Sequence, residues 1–305
     1  MKFPKVGLAL GAGGARGLAH LGVIRALRRH EIPVDMIAGS SIGAVVGAMY
    51  SANLDIDWVE QRFREMLTSP QFAESGIDSV QAQAPDKKPD FLEWATRYVR
   101  HKLVLNFSDR RPGVVKTERL ARLIDSLLPV KTFAELRLPF ACAAVDLQTG
   151  NDVVIDTGNL VEAVTASASI PGYLPPMPME SGLLSDGGVG QPVPGDATRR
   201  LGAEFIIAVD VSVHHFAPLA ERNIITILGR ASEITAARLS QALAHRWDVW
   251  LHPDTLDAHW TRFDLIDSLI AEGERVVDRQ IDTIRRNLRP TRGVIGWLNR
   301  RLGLA

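Results

Sequence analysis

The first fifty residues constrain the fold most, because short apolar runs alternate there with glycine-punctuated helical segments. Residues 5–10, KVGLAL, carry a continuous apolar run of the kind expected for a strand buried on both faces. The run ends in a glycine cluster, Gly11, Gly13, Gly14 and Gly17. A helix is predicted next, with Leu18, Leu21, Ile24 and Leu27 on one face. Arg25, Arg28 and Arg29 lie near its C-terminal end, where cations suit the helix dipole. Pro33 and Asp35 mark a turn, residues 36–39 (MIAG) a second strand, and residues 42–50 (IGAVVGAMY) a small-residue helix able to pack closely on a sheet. Such alternation implies a mostly parallel central sheet with helices on both faces, a three-layer α/β/α fold. The functional site of such a fold lies at the C-terminal edge of its strands, which selects the loops after residues 10 and 39.

The same pattern resumes near residue 117. Residues 117–128 read as helix, 139–147 and 151–158 as adjacent strands, and 160–169 as a helix that stops before Pro171. Residues 204–212 read as another buried strand, 223–246 as a long helix, 248–253 as a late strand and 272–288 as a final helix. Residues 54–112 differ: they are richer in Asp, Gln, Pro and Lys, and only 91–99 (FLEWATRYV) have clear helical spacing. They read as a helical insertion or cap over the core, or equally as an ordinary peripheral segment. The domain reading is a catalytic domain over 5–212 containing that insertion, and a C-terminal helical extension, 213–305, packed on the same domain and ending in a basic tail.

Composition removes several classes. Lys+Arg and Asp+Glu both number 35, so no basic excess points to nucleic acid. The single cysteine, Cys142, lies in an apolar run and reads as a buried, inert thiol, compatible with a reducing compartment. The N-terminus shows no cleavage pattern of a signal peptide, and no stretch reaches the roughly 18–20 apolar residues of a membrane span. The expectation is a cytoplasmic protein, meeting the inner membrane, if at all, from its surface. The tail 287–305 supports that contact: Arg289, Arg292, Arg300 and Arg301 alternate with Val294, Ile295, Trp297, Leu298 and Leu302. A tail packed on the domain, or disordered, is the competing reading.

Three motifs carry chemistry. Gly39-Ser40-Ser41-Ile42-Gly43 is a G-x-S-x-G between an apolar strand and a helix, the context of a nucleophile elbow. Gly39 and Gly43 admit the tight turn, and the helix beginning at Ser41 favours a developing alkoxide. Ser41 is therefore the candidate nucleophile, although Ser40 or Ser41 would also serve as a helix N-cap. The loop Gly11-Ala12-Gly13-Gly14-Ala15-Arg16-Gly17 exposes backbone N–H groups toward one point. A dinucleotide cradle would want its third glycine one place earlier, and a P-loop would want a lysine, so an oxyanion hole is favoured. Arg16 belongs to that set, as a loop anchor or a contact for an anionic head group. Asp186-Gly187-Gly188 follows a short strand; on its own it reads as a β-turn or as a carboxylate free to approach another loop.

Taken together, the chain resembles the patatin-like phospholipase family in its bacterial form. That family has the order G-x-G-G-x-R-G, G-x-S-x-G, then D-G-G or D-G-A, and all three appear here at 11–17, 39–43 and 186–188. Residues 166–176 and 192–212 are similar to the family as well, whereas 54–112 and the chain beyond about 215 resemble it weakly. The resemblance implies Ser41 as nucleophile and Asp186 as its only side-chain partner. It also implies oxyanion binding by the amides of Gly11, Gly13 and Gly14, without a cofactor, on a phospholipid or other acyl ester. Ala12 and Gln191 depart from the family pattern. Two alternatives stand beside this reading: an esterase with a Ser-His-Asp triad drawing on His245, His252 or His259, with His20 beside the glycine loop, and a non-catalytic regulatory protein on the same fold. No metal is expected, since His214, His215, His252 and Asp254 do not form a ligand set of convincing spacing.

Overall fold

The computed structural model describes residues 3–74, 116–216, 218–219 and 224–288. In chain order it contains β1 (Val6–Leu10), α1 (Ala19–Arg29), β2 (Met36–Ser40), α2 (Ile42–Asn53), α3 (Ile56–Leu67), α4 (Pro70–Glu74) and α5 (Thr117–Leu127). There follow β3 (Phe140–Asp146), β4 (Asp152–Ile155), α6 (Leu160–Ser167), β5 (Met177–Met179), β6 (Gly182–Asp186) and α7 (Gly195–Arg200). The last elements are β7 (Phe205–Val209), α8 (Ile224–Leu243), β8 (Val249–Leu251) and α9 (Ile266–Asn287). The predicted helix at 91–99 and the basic tail from 289 lie outside the described residues.

Among the described residues eight strands form one sheet, paired in the order β5-β6-β3-β2-β1-β7-β8, with β4 also on β3. The run β3-β2-β1-β7-β8 is parallel throughout. β1 lies between β2 and β7, so the chain leaves it in one direction first and returns to its other side later. This is the switch point at which open α/β sheets gather their sites.

Alternation along each strand sorts large from small. Leu8, Leu10, Ile37, Phe140, Phe205 and Ile207 join one core cluster with residues of α1, α2 and α9. Ala9 and Ala208, with Ala38 and Ala141, face the other side, under Trp247 and Ala197 of α7. The sheet is thus covered on both faces, but by a thick layer on one and a close-packed small-residue layer on the other.

The register on β3 settles a question of reach. Cys142 and Ala143 pair with both β2 and β4, and Ala144 and Val145 pair with both β4 and β6. A strand has two edges, so β2 and β6 must share one edge of β3. β6 runs antiparallel there and takes over where β2 stops. The C-terminal ends of β2 and β6, Ser40 and Asp186, therefore meet nearly head-on.

Two boundaries differ from the sequence reading. α9 begins at Ile266 rather than 272: Ile266, Leu269 and Ile270 continue its buried stripe, and Gly273, a poor helix former, hides that continuity in the sequence. The segment predicted as a peripheral insertion begins as α3, whose Ile56, Val59, Phe63 and Met66 are buried in the main core. Among the described residues no helix is long and apolar enough to cross a membrane.

Candidate active site

Ser41 sits between β2 and α2 with φ 56° and ψ −122°, a conformation non-glycine residues adopt only under constraint. The constraint is visible. Its N–H donates to Ser167 Oγ at 3.1 Å, and that hydroxyl donates to the Ala143 carbonyl at 2.6 Å. Its carbonyl accepts from Ala44 N and Val45 N in the first turn of α2. Gly39 and Gly43 stand where β2 and α2 touch: a Cβ on Gly39 would fall 2.3 Å from Gly43 O.

Asp186 reaches this elbow from the end of β6. Its Oδ2 accepts from Ser41 Oγ at 2.6 Å, and its Oδ1 accepts from Gly188 N at 2.7 Å. One carboxylate oxygen thus caps the Gly187–Gly188 turn while the other reaches the serine of the neighbouring elbow. Gly187 runs close against the middle of β3, where a Cβ would fall 2.3 Å from Ala143 O. Ser41 is 7% exposed and Asp186 5%. Burial lifts the Asp186 carboxyl to about 6, against the opposing pull of the Ser41 and Gly188 hydrogen bonds.

Most polar groups of the glycine loop are already engaged. Gly11 N donates to Val209 O at 3.0 Å, Ala12 N to Pro192 O at 2.8 Å, and Ala15 N to Trp260 O at 2.7 Å. Gly11 O accepts from His20 Nε2 at 2.8 Å, and Gly13 O from Arg16 Nε at 3.1 Å. The N–H groups of Gly13 and Gly14 have no recorded partner among the described residues. This corrects the expectation for Gly11 and narrows that for Arg16. Gly11 is not an available donor, because its N–H continues the β1–β7 ladder. Of the two roles expected for Arg16 the hydrogen bonds are those of the loop anchor: its donors go to Gly13 O, to the Glu233 carboxylate at 3.3 Å and to Ala258 O at 3.4 Å, which engages them within the protein rather than on an oxyanion. Gly14, at φ +59°, packs so closely that a Cβ would lie 2.4 Å from Trp260 O.

Ser41, Ile42 and Gly14 are among the residues that line a cavity of about 910 Å³, open solvent included. Its wall is apolar, built from Phe63 and Met66 of α3, Phe72 of α4, Ile124 of α5, and Trp260 and Phe263 from the stretch between β8 and α9. Sequence reasoning missed these wall residues. They come from separate segments, each with an ordinary core pattern, so no local signal marks them.

The histidines stand elsewhere. Asp186 takes its side-chain hydrogen bonds from Ser41 and Gly188, and among the described residues no histidine bonds to Ser41 or Asp186. His20 is fully buried and supports the loop; burial lowers its pKa to about 4, leaving it neutral at pH 7. His259 shares a hydrogen bond with Thr261, and His252 donates to the Asp210 carbonyl. Asp210, His214 and His252 do converge. However, the two imidazoles stack with centroids 3.8 Å apart and planes 8° apart. Parallel rings cannot both aim in-plane lone pairs at one ion about 2.0–2.1 Å away. The cluster reads instead as support for a buried carboxylate. Burial alone would raise Asp210, but hydrogen bonds from His214, Ser212 and Ser240 hold it below its ordinary value.

The patatin-like phospholipase family model matches residues 8–198, more than half of the chain and a span containing all three motifs. Over 208 residues the chain is 35% identical to a patatin-like phospholipase domain-containing protein of Caenorhabditis elegans, covering 68% of this chain and 13% of that protein. It is 32% identical over 208 residues to patatin-like phospholipase domain-containing protein 6 of Homo sapiens, again 68% of this chain and 13% of the other. An uncharacterized NTE family protein of Mycobacterium tuberculosis is 30% identical over 225 residues, 72% of this chain and 53% of its own length. This chain therefore spans only part of each of these relatives. With the three motifs inside one family span and at these identities, the chain belongs to the patatin-like phospholipase family.

Proposed function

We propose that this protein hydrolyses acyl esters of lipids through a Ser41–Asp186 dyad, in the manner of a phospholipase A or lysophospholipase. The single observation that carries the reading is the 2.6 Å hydrogen bond from Ser41 Oγ to Asp186 Oδ2, with Ser41 lining an apolar cavity. The acyl chain lies in that cavity, whose lining is almost wholly apolar, as a hydrocarbon chain requires. The names of the relatives, phospholipase and NTE family, point the same way.

Asp186 accepts the Ser41 proton as Oγ attacks the acyl carbonyl. The N–H groups of Gly13 and Gly14 receive the oxyanion, joined by that of Ile42, which follows the nucleophile and opens α2 without an intrahelical acceptor. The proton passes to the departing alcohol. Water then attacks the acyl-enzyme with Asp186 again as base, and the fatty acid leaves. A carboxyl near 6 is ionised at neutral pH yet more basic than an ordinary aspartate, which suits this role.

The test is turnover of p-nitrophenyl butyrate together with labelling by a fluorophosphonate probe. Ser41→Ala should lose both while retaining the parent's circular dichroism. Full turnover by Ser41→Ala refutes the assignment, and a well-folded parent that neither turns over nor labels supports a non-catalytic role.

A further inference from the structure

The family span ends at residue 198, yet four groups that hold the glycine loop come from beyond it: Val209 O, Glu233 on α8, Ala258 O and Trp260 O. We propose that Glu233 is a positioning residue for the oxyanion amides, which through Arg16 keeps the Gly13–Gly14 peptide from turning over. The proposal rests on the reading of Gly13 and Gly14 as oxyanion donors.

In a planar trans peptide the C=O and the following N–H point in opposite directions. Arg16 Nε captures Gly13 O at 3.1 Å, so the Gly14 N–H is turned to the opposite side. Rotation of this peptide would aim an oxygen, rather than a donor, at the developing anion. Between two glycines no Cβ opposes that rotation, so the restraint must come from a partner. Arg16 is a long side chain with considerable rotamer freedom to lose, and it needs fixing in turn. Both of its terminal nitrogens meet one oxygen, Glu233 Oε1, at 3.3 and 3.4 Å, and Nη1 also meets Ala258 O. The Arg16 side chain is 6% exposed and Glu233 29%. Glu233 is the one carboxylate recorded in contact with this nearly buried cation among the described residues. Its other oxygen lies 3.6 Å from Arg230. Without Glu233 the nearly buried guanidinium loses the carboxylate it contacts and keeps only the Gly13 and Ala258 carbonyls, so it is drawn toward water and releases Gly13 O.

The experiment compares Glu233→Ala, Glu233→Gln and Glu233→Asp in the full chain. It reads steady-state kinetics on p-nitrophenyl butyrate and hydrogen–deuterium exchange of the peptide covering residues 11–18. Glu233→Ala and Glu233→Gln should lower kcat about tenfold to a hundredfold, a fraction of what losing an oxyanion donor costs, with KM within about twofold. Exchange in 11–18 should rise while that of α2 stays as in the parent, and Glu233→Asp should recover part of kcat. If Glu233→Ala does not fold, the near-isosteric Glu233→Gln carries the test. Turnover within twofold of the parent, a loss confined to KM, or unchanged exchange in 11–18 overturns the proposal. A parent inactive on every ester would sink the dyad reading alone, because the exchange measurement still decides whether Glu233 holds the loop.

Discussion

Replacing Asp186 by asparagine separates what its carboxylate does for the reaction from what it does to the fold. The amide fits the site: Oδ1 can accept from Gly188 N while Nδ2 donates to Ser41 Oγ, so both hydrogen bonds survive in altered polarity. The titration does not survive. Burial lifts the folded-state pKa from 3.8 to about 6, so the native protein holds a proton that the unfolded chain has already released. A raised pKa contributes stability that is complete below the unfolded value and is lost as pH rises through the folded one. The difference is about two pH units at roughly 1.4 kcal/mol each, or about 3 kcal/mol in all, of which about 2 kcal/mol falls between pH 4.5 and 7.5. Urea unfolding of parent and Asp186→Asn at constant ionic strength isolates this group, since every other titration is common to both chains. The stability of Asp186→Asn relative to the parent should increase by about 2 kcal/mol from pH 4.5 to 7.5. Over the same range parental kcat/KM should rise and level off with an inflection near 6, and the variant should be slower by about 10²–10⁴-fold. A stability difference that stays flat across the window would show an ordinary carboxylate and refute the argument from burial.

Further expectations concern the loop and the cavity. Gly14→Ala combines a positive φ with a Cβ 2.4 Å from Trp260 O. It should cost about 1–3 kcal/mol in urea unfolding and lower kcat about a hundredfold; an unchanged kcat would remove Gly14 from the oxyanion site. Leu120→Trp narrows the cavity wall. The ratio of kcat/KM for p-nitrophenyl dodecanoate to that for the butyrate should fall about tenfold or more, whereas equal effects on both esters would place the acyl chain elsewhere.

Much of this protein could be read from spacing alone. Runs such as residues 5–10 and 36–39, each followed by glycine and then a helical stripe, already imply a parallel sheet with its site at one edge. The three motifs, in order, already point to the family. The glycines that flank Ser41 are a local cue to a tight turn, although the serine's own positive φ is held by Ser167, 126 residues away. The wall of the cavity was not legible in the same way, because Phe63, Phe72 and Trp260 carry the pattern of any core residue until distant segments bring them together.

What the sequence determined by itself was the fold class, the motif order and the identity of the serine and carboxylate worth watching. Only the tertiary structure decided that β2 and β6 share one edge of β3, which closes a gap of 145 residues to a 2.6 Å hydrogen bond. It alone decided which loop amides are free. Gly11, Gly13 and Gly14 look alike in a motif, but Gly11 N meets Val209 O while the other two find no such acceptor among the described residues. The physical reason is that a hydrogen bond saturates its donor. Availability depends on where every competing acceptor lies, and those acceptors, at 192, 209 and 260, are far along the chain from the donors they engage.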